Sequence, residues 1–249
     1  MDELQRLLAL VPAKPARTVS YGHRGNRGRM SFLGQSVDHE SHLERDFLLI
    51  MQFDPTLAAI RAQPFTIPCV GANGRQTRYT PDFLTIHKGS RPRGFVVEIK
   101  PMADLRRDWR TLKPRLHAGR TFAHENGLAF ELLTERQLHR WPLDAYHFLA
   151  PFRTLPDDDS MEEHLVHTLA GIGPSTPQRL LAAAFMTESN RIQAIPHMWK
   201  LVATRRIMAG LDEGQIDIRT TPLWIDRDSD WRRCNPYSRK HLMQTETDR

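Results

Sequence analysis

The sequence predicts an α/β protein, with a mixed sheet flanked by helices and then a smaller, mainly helical domain. Three observations carry this. Hydrophobic periodicity through the first 156 residues runs in the order helix, strands, helix, strand, helix. Asn73-Gly74 marks a hairpin between two extended runs. The charge also changes at the polar break Leu155-Pro156-Asp157-Asp158-Asp159. Residues 1–156 hold 23 Lys and Arg against 15 Asp and Glu, whereas residues 157–249 hold 12 against 14.

The elements follow in order. Residues 1–34 read as a basic flexible arm, with Lys14, Arg17, Arg24, Arg27 and Arg29 in a Gly- and Arg-rich stretch without an acid. A solvated leader without a partner has the same composition. Residues 38–53 form a helix through Leu43, Phe47, Ile50 and Met51, capped by Asp38 or Ser41 and ended by Asp54-Pro55. Strands are expected at Phe65–Val70, within Arg75–Ile86, and at Gly94–Lys100. Residues 103–124 make an amphipathic helix through Leu105, Trp109, Leu112 and Leu116, kinked at Pro114. A strand at Leu128–Leu133 and a short helix at Leu143–Phe152 close the α/β domain, placed at 35–156.

Helical patterns at 160–171, 177–188 and 194–210, then an alternating stretch Ile216–Trp224, suggest a winged-helix-like domain over 157–231. Residues 232–249 read as a polar tail.

Composition excludes several classes. Cys69 and Cys234 are the only cysteines, so neither a disulfide framework nor a cysteine zinc site is expected. No apolar run reaches the roughly 20 residues that span a bilayer, and the N-terminus lacks a signal-peptide pattern. A cytoplasmic protein without a membrane partner is the expectation. There is no phosphate loop for ATP hydrolysis and no serine-nucleophile elbow. His164 and His167 share a helical face without a further ligand and read as surface residues. Trp199, Trp224 and Trp231 read as packing residues.

The chemistry sits in Tyr79-Thr80-Pro81-Asp82-Phe83 and Phe95-Val96-Val97-Glu98-Ile99-Lys100-Pro101. In a strand, Glu98 and Lys100 share one face while Phe95, Val97 and Ile99 take the other. The intervening 15 residues let a neighbouring strand bring Asp82 to the Glu98 side. Two carboxylates converging beside one ammonium suit a hard divalent cation and hydrolysis of a phosphodiester. A lone E-x-K carries little weight. The Pro-Asp, the spacing, the preceding hairpin and the following helix together point to a restriction-endonuclease-like core. Glu44, on the helix before the sheet, is a further candidate acid, with Glu40, Asp46 and His42 competing in the same segment.

These motifs also resemble the TnsA family, the endonuclease subunits of heteromeric bacterial transposases. The likeness runs over residues 35–135. It rests on the Leu43-Glu44 helix, Gln63-Pro64-Phe65, Thr80-Pro81-Asp82-Phe83 and Glu98-x-Lys100-Pro101. The resemblance implies hydrolysis of the non-transferred strand at the 5′ ends of a mobile element. It implies double-stranded DNA at transposon ends as substrate, with a TnsB-like transposase and a TnsC-like regulatory ATPase as partners in a bacterial cytoplasm. The family's helix acid falls on Glu44, its metal-binding Asp on Asp82 and its lysine on Lys100. Glu98 stands where a relative has Gln, and His117 where related nucleases carry a further acid. The expected magnesium ligands, with manganese as substitute, are Asp82, Glu98 and the Ile99 carbonyl. Glu44 is a further ligand or water-orienting base, and Lys100 is the electrostatic stabiliser. A free-standing restriction or repair nuclease is the alternative within the fold, and a non-catalytic DNA-binding adaptor the alternative outside enzymes.

Overall fold

The structure, a computed structural model, describes residues 2–16, 28–32, 35–89, 93–211 and 216–225. Arg17, Arg24 and Arg27 of the basic arm, Trp231 and the tail 232–249 lie outside the described residues. The chain divides into two compact units, with the change at Arg140–Trp141. The polar break at 155–159 lies inside the second unit.

In the first unit, helix α1 (Glu3–Ala9) precedes an antiparallel pair, β1 (Gly28–Phe32) and β2 (Gln35–His39). The sequence reads both segments as parts of an irregular arm or of the next helix. Asp38 is therefore no helix cap; it lies in β2 and accepts a bond from Arg29 Nε at 2.8 Å. Helix α2 (His42–Gln52) starts at Ser41, whose side chain accepts from Glu44 N. Strand β3 (Leu57–Ala62) follows, unforeseen because Leu57 and Ile60 stand three apart with alanines and Arg61 around them. That spacing hides the two-residue period of a strand.

Strands β4 (Ile67–Val70) and β5 (Gln76–Tyr79) form the hairpin that Asn73-Gly74 predicts, and Gly74 turns it with φ of 75°. Strands β6 (Phe83–His87) and β7 (Arg93–Ile99) follow, then helix α3 (Met102–Glu125), strand β8 (Ala129–Leu133) and the single turn α4 (Glu135–Leu138). The main sheet has the order β3-β6-β7-β8, antiparallel except for the β7–β8 pair that α3 connects. This four-stranded mixed sheet flanked by helices is the restriction-endonuclease-like core. The backbone break within α3 lies at Asp108 (φ −108°, ψ 15°) and not at Pro114, where the sequence places a kink.

Strands β6 and β7 are buried along almost their whole length, so helices must cover both faces of the sheet. Phe47 of α2 meets Phe83 on one face, with ring centroids 5.2 Å apart. On the other face Leu7 of α1 and Ala123 of α3 pack with Leu84, Ile86, Val96 and Leu128. Helix α3 also lies close over β4 and β5. A Cβ on its buried Gly119 would come within 2.6 Å of the Tyr79 ring and 2.7 Å of the Phe130 ring.

The second unit holds α5 (Leu143–Leu149), a 3-10 turn (Ala150–Thr154), α6 (Asp159–Ile172), α7 (Pro177–Ala184) and α8 (Glu188–Ala203). A two-stranded pair, β9 (Met208–Ala209) and β10 (Leu223–Trp224), closes it. Ser175 bridges to Leu223, joining the α6–α7 connection to this strand pair. The expected helices 177–188 and 194–210 shift because Phe185 is extended and Thr187 caps α8, leaving Pro196 inside that helix. Buried Glu162 ties α6 to the end of α8, accepting from Lys200 at 2.8 Å and from Arg206 at 2.9 Å. Among the described residues, no helix is long and apolar enough to cross a membrane.

The contact at Gly119 yields a test. Overpacking costs about 1–3 kcal/mol, against a helix-propensity gain of about 1 kcal/mol for alanine over glycine. Gly119→Ala is expected to lower the melting temperature because both facing groups are rigid rings. A variant as stable as the wild type would contradict this packing.

Candidate active site

Asp82 and Glu98 meet because β6 and β7 pair in register. Phe83 stands opposite Val97, so the residue before β6 stands opposite Glu98. The Asp82 backbone is fixed by Gln63, whose N–H donates to its carbonyl at 2.8 Å. Gln63 holds φ of 45°, a left-handed conformation costly for a residue with a side chain. The Asp82 carboxylate accepts the Ile99 N–H at 2.7 Å through Oδ2. Lys100 leaves β7 with its own N–H on the Leu133 carbonyl at 3.0 Å.

The Lys100 ammonium sits among three oxygens. It lies 2.9 Å from Glu98 Oε1 and 3.5 Å from Asp82 Oδ2, and it donates to the Ile99 carbonyl at 3.1 Å. The two side chains and the backbone carbonyl that the sequence nominates as ligands thus share one cationic partner. The other Glu98 oxygen accepts the Tyr79 hydroxyl at 2.8 Å. The sequence reading quotes Tyr79 within its key segment but gives it no role. Its signal is position: in β5 only Tyr79 is buried, so its side chain turns toward the sheet.

Glu44 stands at the start of α2. Its carboxylate accepts from Glu40 N at 2.8 Å and Ser41 Oγ at 2.9 Å, so it serves the helix start. It still feels the site, since the Asp82 charge acts on it. The charge of Glu40 acts on Asp82 in turn. Asp46 faces elsewhere, paired with Arg45 and lying 3.9 Å from His139, and His42 is exposed. His117 is exposed on α3. Among the described residues, no three His, Cys, Asp or Glu side chains stand close enough to hold a metal ion as they are placed.

The electrostatics express burial first and the Asp82 charge second. Burial, then the Asp82 charge, pushes Glu98 from 4.5 up to about 7. The same two causes push Glu44 from 4.5 up to about 7. Burial also raises Asp82, against the pull of Lys100 and the Ile99 N–H. For Lys100, burial disfavours the ammonium, but the charges of Asp82 and Glu98 outweigh it and hold the group above the ordinary lysine value. Burial and the Glu98 charge keep the Tyr79 hydroxyl protonated, so it stays a donor. One lysine therefore neutralises only part of the acid cluster. Hard carboxylate and carbonyl oxygens with unmet negative charge fit a divalent cation such as magnesium.

A pH dependence follows. Glu44 and Glu98 hold protons more tightly folded than unfolded, so their contribution to stability falls as pH rises from 4.5 to about 7. Glu98→Gln should flatten the fall in melting temperature over that window. A slope as steep as the wild type's would show that Glu98 does not titrate there.

Residues 54–135 match the family model of the TnsA-like endonuclease N-terminal domain. The matched segment contains Tyr79, Asp82, Glu98 and Lys100 and begins after Glu44. No curated protein gives a significant match to the chain. Residues 54–135 thus carry a TnsA-like endonuclease N-terminal domain, which supports a TnsA family assignment and, in general terms, a transposase endonuclease subunit.

Proposed function

We propose that the protein is a metal-dependent DNA endonuclease that hydrolyses the non-transferred strand at the 5′ ends of a mobile element. In this role it works beside a TnsB-like transposase that handles the 3′ ends and under a TnsC-like regulatory ATPase. The observation that supports this best is the convergence of the Asp82 carboxylate, the Glu98 carboxylate and the Ile99 carbonyl on one ammonium. Such a cluster is arranged around positive charge, and burial, with the Asp82 charge at Glu98, raises its acids above their ordinary range.

On this reading Asp82, Glu98 and the Ile99 carbonyl hold magnesium, with manganese as a substitute, and Glu44 is a further ligand or orients the attacking water. A bound cation of this kind supplies an acidified water and neutralises charge on the scissile phosphate. Lys100 keeps its proton and offers a fixed positive charge to the developing phosphorane oxygens. Tyr79 stays neutral and holds one Glu98 oxygen, so the carboxylate keeps a single orientation.

The test is strand cleavage with magnesium and the partner proteins. Asp82→Ala and Lys100→Ala should each lower the cleavage rate by about a hundredfold or more, with circular dichroism unchanged. Glu98→Gln should retain partial activity, since glutamine keeps an oxygen for the cation. Wild-type rates in Asp82→Ala or Lys100→Ala would rule the assignment out.

A further inference from the structure

Helix α3 begins two residues beyond Lys100. After its break at Asp108 it carries Arg110, Lys113, His117, Arg120 and His124. At 100° per residue these five fall within about 80° of arc. All five side chains are exposed, and none has a hydrogen-bond or ion-pair partner among the described residues. The acids of α3 lie elsewhere. Asp104 and Asp108 are engaged by Arg107, and Glu125 points about 100° away from His124. Trp109, just after the break, is half-exposed on the same side at the start of the row; from Arg110 to His124 no large apolar side chain is exposed.

A one-signed row of this kind runs about 21 Å along the helix, with bases about 4.5–6 Å apart. Its complement is a linear array of anions at similar spacing, which a nucleic-acid backbone presents. An arginine fork can take a phosphate with two parallel bonds, and imidazole donates a bond in either charge state. A protein partner would bring apolar surface to the centre of its contact, whereas this row has its one exposed aromatic, Trp109, at its end and none along its centre. Resting on the endonuclease reading above, we propose that this face of α3 is a phosphate track. It holds the backbone of duplex DNA beyond the cleavage point without reading base sequence.

The experiment uses the full chain and a fluorescein-labelled duplex of arbitrary sequence, with affinity measured over a series of salt concentrations. Arg110→Gln/Lys113→Gln/Arg120→Gln should flatten the slope of log affinity against log salt by about 2 to 3. Helicity should be preserved, because glutamine is a good helix former. Arg110→Lys/Arg120→Lys should keep the wild-type slope. Cleavage of the triple variant at saturating DNA should stay near the wild-type rate. An unchanged slope in the triple variant, or no duplex binding by the wild type, overturns the track. The two ideas separate cleanly. A wild type that binds through the row but never cuts sinks the endonuclease reading alone. A wild type that cuts while the triple variant keeps its slope sinks the track alone.

Discussion

The Lys100 ammonium and the three oxygens around it set what the rest of the first unit must do. Two carboxylates within reach of one lysine are unfavourable company in a partly buried site, because burial raises both acids and the Asp82 charge raises Glu98 further. The surrounding bonds hold this arrangement in place. The Ile99 N–H fixes the Asp82 carboxylate, the Tyr79 hydroxyl fixes Glu98, and the Gln63 N–H fixes the Asp82 backbone. Each of these donors comes from a different segment of the chain. The site is therefore a product of tertiary structure.

The link from fold to chemistry runs through α3. Gly119 lets the helix lie directly on the Tyr79 and Phe130 rings, and Tyr79 in turn holds Glu98. A glycine in a helix interior loses about 1 kcal/mol of propensity against alanine, so its close approach to Tyr79 is the compensating contact. The second unit keeps its own architecture by similar means. Buried Glu162 is met by Lys200 and Arg206, with His197 at 3.5 Å, and these contacts join the start of α6 to the end of α8.

Much of the first unit is legible in the sequence where the pattern is strong. The apolar alternation around Glu98 gives β7, Asn73-Gly74 gives the β4–β5 hairpin, and the spacing of Asp82 to Glu98 fits the paired register. What is hidden has physical causes. Strand β1 ends a Gly- and Arg-rich stretch, and β2 has Val37 as its one apolar residue, so polar residues mask the strand period of the pair. Strand β3 is alanine-rich and carries only two large apolar side chains. Tyr79 has no motif of its own, since its role depends on a neighbour nineteen residues away. Glu44 sits in the segment the sequence indicates, but its bonds to Ser41 and Glu40 are local, and no pattern announces them.

The central claim is that the Asp82, Glu98 and Ile99 oxygens are arranged to receive a cation larger in charge than the lysine now among them. Anomalous diffraction from a crystal soaked with manganese tests this most directly. The account predicts an anomalous peak bonded to the carboxylates of Asp82 and Glu98 and to the Ile99 carbonyl, with the Lys100 ammonium moved off those oxygens. A crystal without that peak at saturating manganese, and with Lys100 still bridging Glu98 and the Ile99 carbonyl, would contradict it.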